Sequence, residues 1–175
     1  KGSIIGFTYP EEWSLFSGDE AVRFIDPGTG GQIEGTETVL LAKGDYTLES
    51  LQTADKDSLM MGGFLILGSQ PDPFAGMEEN QEPPWYDLMF GSLQNQEGVK
   101  VVTKETVSVE GNTWFHLRAI MTAGPENDTR SMDSTIYAVR SNQNLIVISA
   151  FGEAGEEQPP YMNAVEGIIA TFSIQ

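Results

Sequence analysis

Apolar residues in this chain alternate in some stretches and recur every three or four positions in others, and each pattern predicts an element. Ile5, Phe7 and Tyr9 alternate, which predicts an opening strand that Pro10 ends. Ala21 to Asp26 reads as a second short strand, stopped by the turn tripeptide Asp26-Pro27-Gly28, and Thr29 to Gly35 as a glycine-rich loop. Thr36 to Lys43 carries Val39, Leu40 and Leu41 and predicts a third strand. A helix capped by Asp45 or Thr47 then runs to about Met61.

The pattern changes at residues 69–84, which hold Pro71, Pro73, Pro83 and Pro84 and no Lys or Arg. Loops of this length are often lids or binding loops. Pro84 suits the start of a short helix from Trp85 to about Gln94, so residues 69–98 read as a proline-rich, acidic insert. Strands follow at Val99–Val109, Thr113–Thr122, Asp133–Arg140 and Leu145–Phe151, and their short connections predict an antiparallel meander. Leu145–Phe151 is apolar on both faces, as a covered central strand would be. After Pro159-Pro160, the residues Tyr161, Ala164, Val165, Ile168 and Phe172 form one helical stripe. The fold class expected is α+β, a mostly antiparallel sheet with helices packed on it.

The buried face also sets an expected register. If Val99, Val101, Val107 and Val109 share a face with Phe115, Leu117, Ala119 and Met121, a three-residue turn at Glu110-Gly111-Asn112 pairs Val107 with Phe115. Lys104 then lies beside Arg118 and Thr106 beside His116, so something acidic or wet is expected over that face.

The 175 residues fit one domain spanning 1–175. Lys and Arg number 9 against 26 Asp and Glu, a net charge of −17, which argues against nucleic acid and leaves a basic protein as a fitting partner. From Asp57 to Val99 the chain has acids but no Lys or Arg, whereas Lys100, Lys104, Arg118 and Arg140 lie in the meander, so a molecule with a negative end is expected. Without cysteine and with one histidine, disulfides, thiolate chemistry and a two-histidine site are excluded. No run is long enough to span a membrane as a helix. The sequence starts at Lys1 without an initiator Met, and a removed signal peptide or a lipid-anchored leader upstream is expected. That points to an extracytoplasmic location: periplasm, cell surface or thylakoid lumen. The sequon Asn127-Asp128-Thr129 matters only in a eukaryotic secretory setting.

The segments Phe7-Thr8-Tyr9-Pro10-Glu11-Glu12-Trp13 and Val22-Arg23-Phe24-Ile25-Asp26-Pro27 resemble the start of PsbP-like domains. The order of helix, meander and terminal helix ending Ala170-Thr171-Phe172-Ser173 resembles them too. The family includes an extrinsic photosystem protein, a Ran-binding protein, bacterial lipoproteins and chaperones of secretion effectors. The resemblance implies an α/β/α sandwich used to bind proteins, with no shared reaction.

Several residues invite chemistry. His116 would need an orienting carboxylate and a nucleophile to be catalytic, and no nucleophile-elbow pattern occurs. The run Asp26 to Gly31 lacks both the P-loop lysine and dinucleotide spacing. Asp55-Lys56-Asp57 begins like a calcium loop but has Leu59 and Ile66 where ligands belong. Asp55 falls on the helix stripe of Leu48, Leu51 and Leu59, so it is paired with an arginine, turned to solvent or part of a functional site. Glu78, Glu79 and Glu82 offer a weak calcium or carbohydrate site, or the paired carboxylates of a hydrolase.

The helix from Trp85 is the more informative feature. Trp85, Leu88, Met89, Ser92 and Leu93 make one packing stripe, with Tyr86 and Phe90 together on another side. The expectation is that Trp85 anchors the insert while Tyr86 and Phe90 lie at least partly exposed and form a partner-binding patch. The leading functional reading is a non-catalytic, extracytoplasmic domain that binds another protein. The alternatives are a calcium- or carbohydrate-binding module built on the acidic insert and, third, a carboxylate-dependent hydrolase. No cofactor is implied, and the oligomeric state is open.

Overall fold

A computed structural model describes residues 5–25, 34–78, 81–123, 130–155, 159 and 161–174. The turn at Asp26-Pro27-Gly28, most of the glycine-rich loop, Glu79, the sequon and Pro160 lie outside the described residues.

The elements run β1 (Ile5–Gly6), β2 (Trp13–Ser17), α1 (Asp19–Ile25), β3 (Glu37–Lys43), α2 (Leu48–Thr53), α3 (Lys56–Gly62), β4 (Phe64–Pro71) and α4 (Trp85–Gln94). They continue β5 (Val99–Val109), β6 (Asn112–Ala123), β7 (Arg130–Ser141), β8 (Asn144–Glu153), α5 (Met162–Thr171) and β9 (Ser173–Ile174). Seven strands form one antiparallel sheet in the order β2-β3-β4-β8-β7-β6-β5, and β1 pairs with β9 in a separate two-stranded ribbon. The α+β class and the consecutive meander β5 to β8 are as the pattern predicts.

Helices cover both faces. On one face α5 packs through Ala164, Val165, Ile168 and Ile169 onto Leu41, Leu65, Trp114, Ile146 and Ile148, with Phe172 edge-on to Trp114 at 5.4 Å. The opposite face has two separate clusters. Under α1, α2 and α3, Phe16, Leu40, Leu51, Leu59 and Phe64 pack together. Under α4, Phe90 packs with Phe115, Leu117, Ile136 and Ala138. As its two-sided apolar pattern predicts, β8 is central, with Ile146 and Ile148 facing α5 and Val147 facing α4.

Four sequence expectations are corrected. The opening strand is only Ile5–Gly6 long, although Phe7 and Tyr9 keep their rings in contact at 6.2 Å. Ala21–Asp26 is no strand: Asp19–Ile25 is helical, and the strand of that region is Trp13–Ser17. The i, i+3 pair Ala21 and Phe24 packs into the core, and a run this short fits either period. The helix expected from Thr47 to Met61 breaks in two. Thr47 caps α2 through a capping box with Ser50, and Asp55 caps α3 by accepting from the Ser58 amide at 2.9 Å. Ser58's hydroxyl and amide hold the exposed Asp55 carboxyl below its ordinary range. Finally, Ser69 to Pro71 are not loop: they end β4, which joins β3 to β8 in mid-sheet.

The β5–β6 register also differs. Its turn has two residues, Glu110 and Gly111, both with positive φ (49° and 80°), so Val109 pairs with Asn112 and Val107 with Trp114. Positive φ at both positions gives the twist that suits a tight hairpin. The register then shifts between Val101 and Thr103, where Val102 bulges out, 48% exposed. The bulge reverses the alternation. Val107 and Val109 join the α5 face, while Val101 pairs with Ala119 and joins the α4 face. A strand assumed regular from Val99 to Val109 has no way to satisfy both faces; one extra residue does it. The two-residue turn also removes the expected charge clash, since Lys104 faces Leu117 and Arg118 faces Thr103.

Candidate functional site

Helix α4 starts after Pro84 and packs through Tyr86, Met89, Phe90 and Leu93. The Phe115 ring organises this contact. It stacks on Tyr86 at 4.5 Å and 7°, on Phe90 at 5.5 Å and 13°, and meets Trp85 edge-on at 6.5 Å. Phe74 touches the other side of Trp85 at 6.0 Å. Trp85 therefore ties the preceding loop to the sheet.

This geometry corrects the expected exposure of Phe90, while Tyr86 stays partly exposed as expected. Phe90 is buried and Tyr86 half-buried, both drawn inward by Phe115, while Leu88, expected in the packing stripe, is 55% exposed. The helix is turned about its axis relative to the sequence expectation. Met89 and Leu93 pack inward as expected, and the aromatic ring across from the helix draws Tyr86 and Phe90 in beside them in place of Leu88. No local signal in the sequence marks Leu88 as the exposed residue.

The loop before α4 is held by cations of the meander. Arg140 donates Nε to Asp72 Oδ2 at 2.7 Å and its other nitrogens to the carbonyls of Phe74 and Met77. Asp72 Oδ1 accepts from the Phe74 amide at 2.8 Å, closing a local turn. Lys104 reaches Asp87 Oδ1 at 2.6 Å. Two acids of the insert are thus neutralised, and Glu78 and Glu82 remain exposed. Among the described residues, no three His, Asp or Glu side chains come together to hold a metal ion. No described helix is long and apolar enough to cross a membrane.

A second polar cluster lies on the α5 face. Asp133, 1% exposed, accepts from Arg118 Nε at 3.1 Å, from Arg118 Nη2 at 2.6 Å and from the Tyr161 hydroxyl at 2.6 Å. The Asp133 hydrogen bond raises the pKa of Arg118, and burial followed by the same carboxylate raises that of Tyr161. Beside them, His116 Nδ1 lies 3.3 Å from Glu105 Oε1 and Nε2 lies 2.9 Å from Thr135 Oγ1, with the imidazole stacked on Tyr137 at 4.2 Å. Carboxylate, imidazole and hydroxyl stand in the order of a catalytic relay. Thr135, however, is 0% exposed, so no substrate carbonyl reaches its hydroxyl through this packing. Burial and hydrogen bonding give His116 a structural role.

That role has a pH signature. Burial lowers the His116 pKa, outweighing the opposing hydrogen bond and charge of Glu105. The folded state therefore holds the imidazole neutral, and the unfolded state binds the proton more readily. The stabilisation is complete above the unfolded value of about 6.5 and is lost as pH falls through the lower folded value. The urea midpoint advantage of the native chain over His116→Gln should shrink between pH 7.5 and more acidic solution. An advantage that stays constant or grows on acidification excludes this account.

No family model matches the chain, and no curated protein matches it. Solved structures do. The Ran-binding protein Mog1p of Saccharomyces cerevisiae superposes with a TM-score of 0.54 at 11% identity, covering 98% of this chain and 90% of Mog1p. Cyanobacterial PsbP (CyanoP) of Synechocystis superposes with a TM-score of 0.51 at 11% identity, covering 98% of this chain and 87% of CyanoP. The chain spans only 45% of a Bacteroides thetaiotaomicron protein and 59% of a Pseudomonas aeruginosa protein that it also resembles. The protein has the PsbP-like α+β fold. At such identities the likeness concerns the fold alone.

Proposed function

We propose that the chain is a non-catalytic, extracytoplasmic domain that binds another protein through the outer side of α4. The observation that carries this reading is Leu88, 55% exposed on a helix otherwise fixed to the sheet, three residues on from the half-buried ring of Trp85. Large apolar and aromatic groups on a rigid element are what interface centres use, because little side-chain freedom is lost on docking. Phe90 supports the patch from below by fixing α4. Mog1p, similar in fold, is described as Ran-binding, which agrees with the use of this fold for protein contacts. The net charge of −17 suits a basic partner.

The test is affinity capture from envelope extracts of the source organism, comparing the native chain with Leu88→Glu and Trp85→Ala. Leu88→Glu should keep the melting temperature within about 1 °C, since surface changes cost little, and weaken capture about tenfold or more. Equal capture by Leu88→Glu would remove α4 from the interface. Location is tested separately by fusing the chain, with whatever precedes Lys1 in its precursor, to alkaline phosphatase. An inactive fusion would place the domain inside the cell.

A further inference from the structure

The two clusters on the α1–α4 side of the sheet do not meet. Between α1 and α4 lies a crease of about 360 Å³, with Val22 on the α1 side, Met89 on the α4 side, and Thr38, Gly68 and Val147 across its floor. That volume lies within the range of small-ligand sites.

The floor is open because of one residue. Gly68 sits in mid-sheet, paired with Thr38 on one side and Val147 on the other. A Cβ built there meets no atom within 4 Å. Its φ is not positive, so the backbone gives no reason for glycine. Glycine within a strand weakens the strand, and it is found where another molecule comes close to the backbone. A larger side chain at this position would project into the crease.

The lining also defines what fits. Val22, Met89, Leu145 and Val147 give an apolar wall. Among the described residues, neither the Thr38 hydroxyl nor the Gln70 amide has a side-chain hydrogen-bond partner, and both border the crease. Among the described residues bordering it, the one that is charged is Glu37, whose carboxylate is turned to the opposite face, where Oε2 accepts from the Ile5 amide at 3.3 Å. Among the described lining residues there is no cation to pair an anion, and the net charge of −17 repels one.

We propose that this crease binds an uncharged small molecule with an apolar body and a hydrogen-bonding group directed at Thr38 and Gln70. The site is distinct from the outer side of α4 and does not depend on protein docking there.

The experiment titrates the full chain with Nile red, a neutral apolar dye, following its fluorescence, and with the anionic dye anilinonaphthalene sulfonate. The expected result is saturable one-site binding of Nile red and much weaker binding of the anion. Gly68→Val places methyl groups in the crease on a strand that favours them, so it should fold with an unchanged or higher melting temperature and bind Nile red about tenfold or more weakly. Leu88→Glu should bind the dye like the native chain, which separates this site from the docking reading. Nile red should also shift the amide resonances of Thr38, Gly68, Gln70 and Val147 in the native protein, a readout that needs no variant. The proposal is overturned by absence of saturable binding, by equal or tighter binding of the anion, by undiminished binding to a folded Gly68→Val, or by shifts centred elsewhere.

Discussion

Phe115→Ala should lower the free energy of unfolding by about 3–5 kcal/mol, the range for removing a large buried aromatic side chain. Phe115 is 2% exposed and has Tyr86, Phe90 and Trp85 around it, so truncation opens a cavity and leaves three rings without their shared partner. Stacked and edge-on ring pairs add about 0.5–1.5 kcal/mol each beyond area burial, which favours the upper part of the range. For a chain of this size the melting temperature should fall by about 2–4 °C per kcal/mol. The effect should centre on α4, whose amides lose hydrogen-exchange protection before those of α5. Phe90→Ala should cost nearly as much as Phe115→Ala. The double variant should cost clearly less than the sum, because the two rings touch. Tyr86→Ala should cost less, since Tyr86 is half-exposed. A loss below about 1 kcal/mol for Phe115→Ala, or strict additivity with Phe90→Ala, would mean that the ring stack does not hold the helix.

Asp133→Ala is expected to be of similar size, near the lower end of about 3–5 kcal/mol, the range for breaking a buried ion pair from one side. It removes the acceptor of both Arg118 and Tyr161 and leaves a guanidinium and a phenol without their partner. The Arg118 side chain is 22% exposed and reaches some water, which moderates the loss. Tyr161→Phe should cost only about 1 kcal/mol, because Asp133 keeps its two-pronged arginine contact. Removing both charges together, in Asp133→Leu with Arg118→Met, should recover much of the loss, since a buried pair is costly to break and inexpensive to replace. Thermal and urea unfolding of the three variants gives the comparison. If the double replacement is as unstable as Asp133→Ala, the pair contributes more than charge balance.

These residues also mark what could be read along the chain. The meander, the helix starting at Trp85 and the terminal helix follow from local pattern: short connections such as Glu110-Gly111, Pro84 ahead of the helix, and the stripe Ala164, Val165, Ile168. The central position of β8 followed from its two apolar faces. The sequence offers no nucleophile-elbow motif to go with His116, and only the structure shows its Thr135 partner fully buried.

What stayed illegible depended on contacts distant in sequence. Ala21–Ile25 is helical because Ala21 and Phe24 meet Phe16, Leu40 and Phe64, which no short window contains. The bulge at Val102 exists because β5 must serve the α5 face at Val107 and the α4 face at Val101, a demand set by two helices packed on opposite sides. Which stripe of α4 turns inward is decided by Phe115, 25 to 30 residues further along, so Leu88 rather than Phe90 is left to solvent. The crease over Gly68 likewise appears only once α1 and α4 settle on one face without touching. Periodicity by itself determined the element types, the antiparallel meander and the α+β class, because those follow from which side of each element is apolar. Register, helix rotation and both candidate sites were decided by tertiary packing, because each is a choice between locally equivalent faces that only an opposing side chain can break.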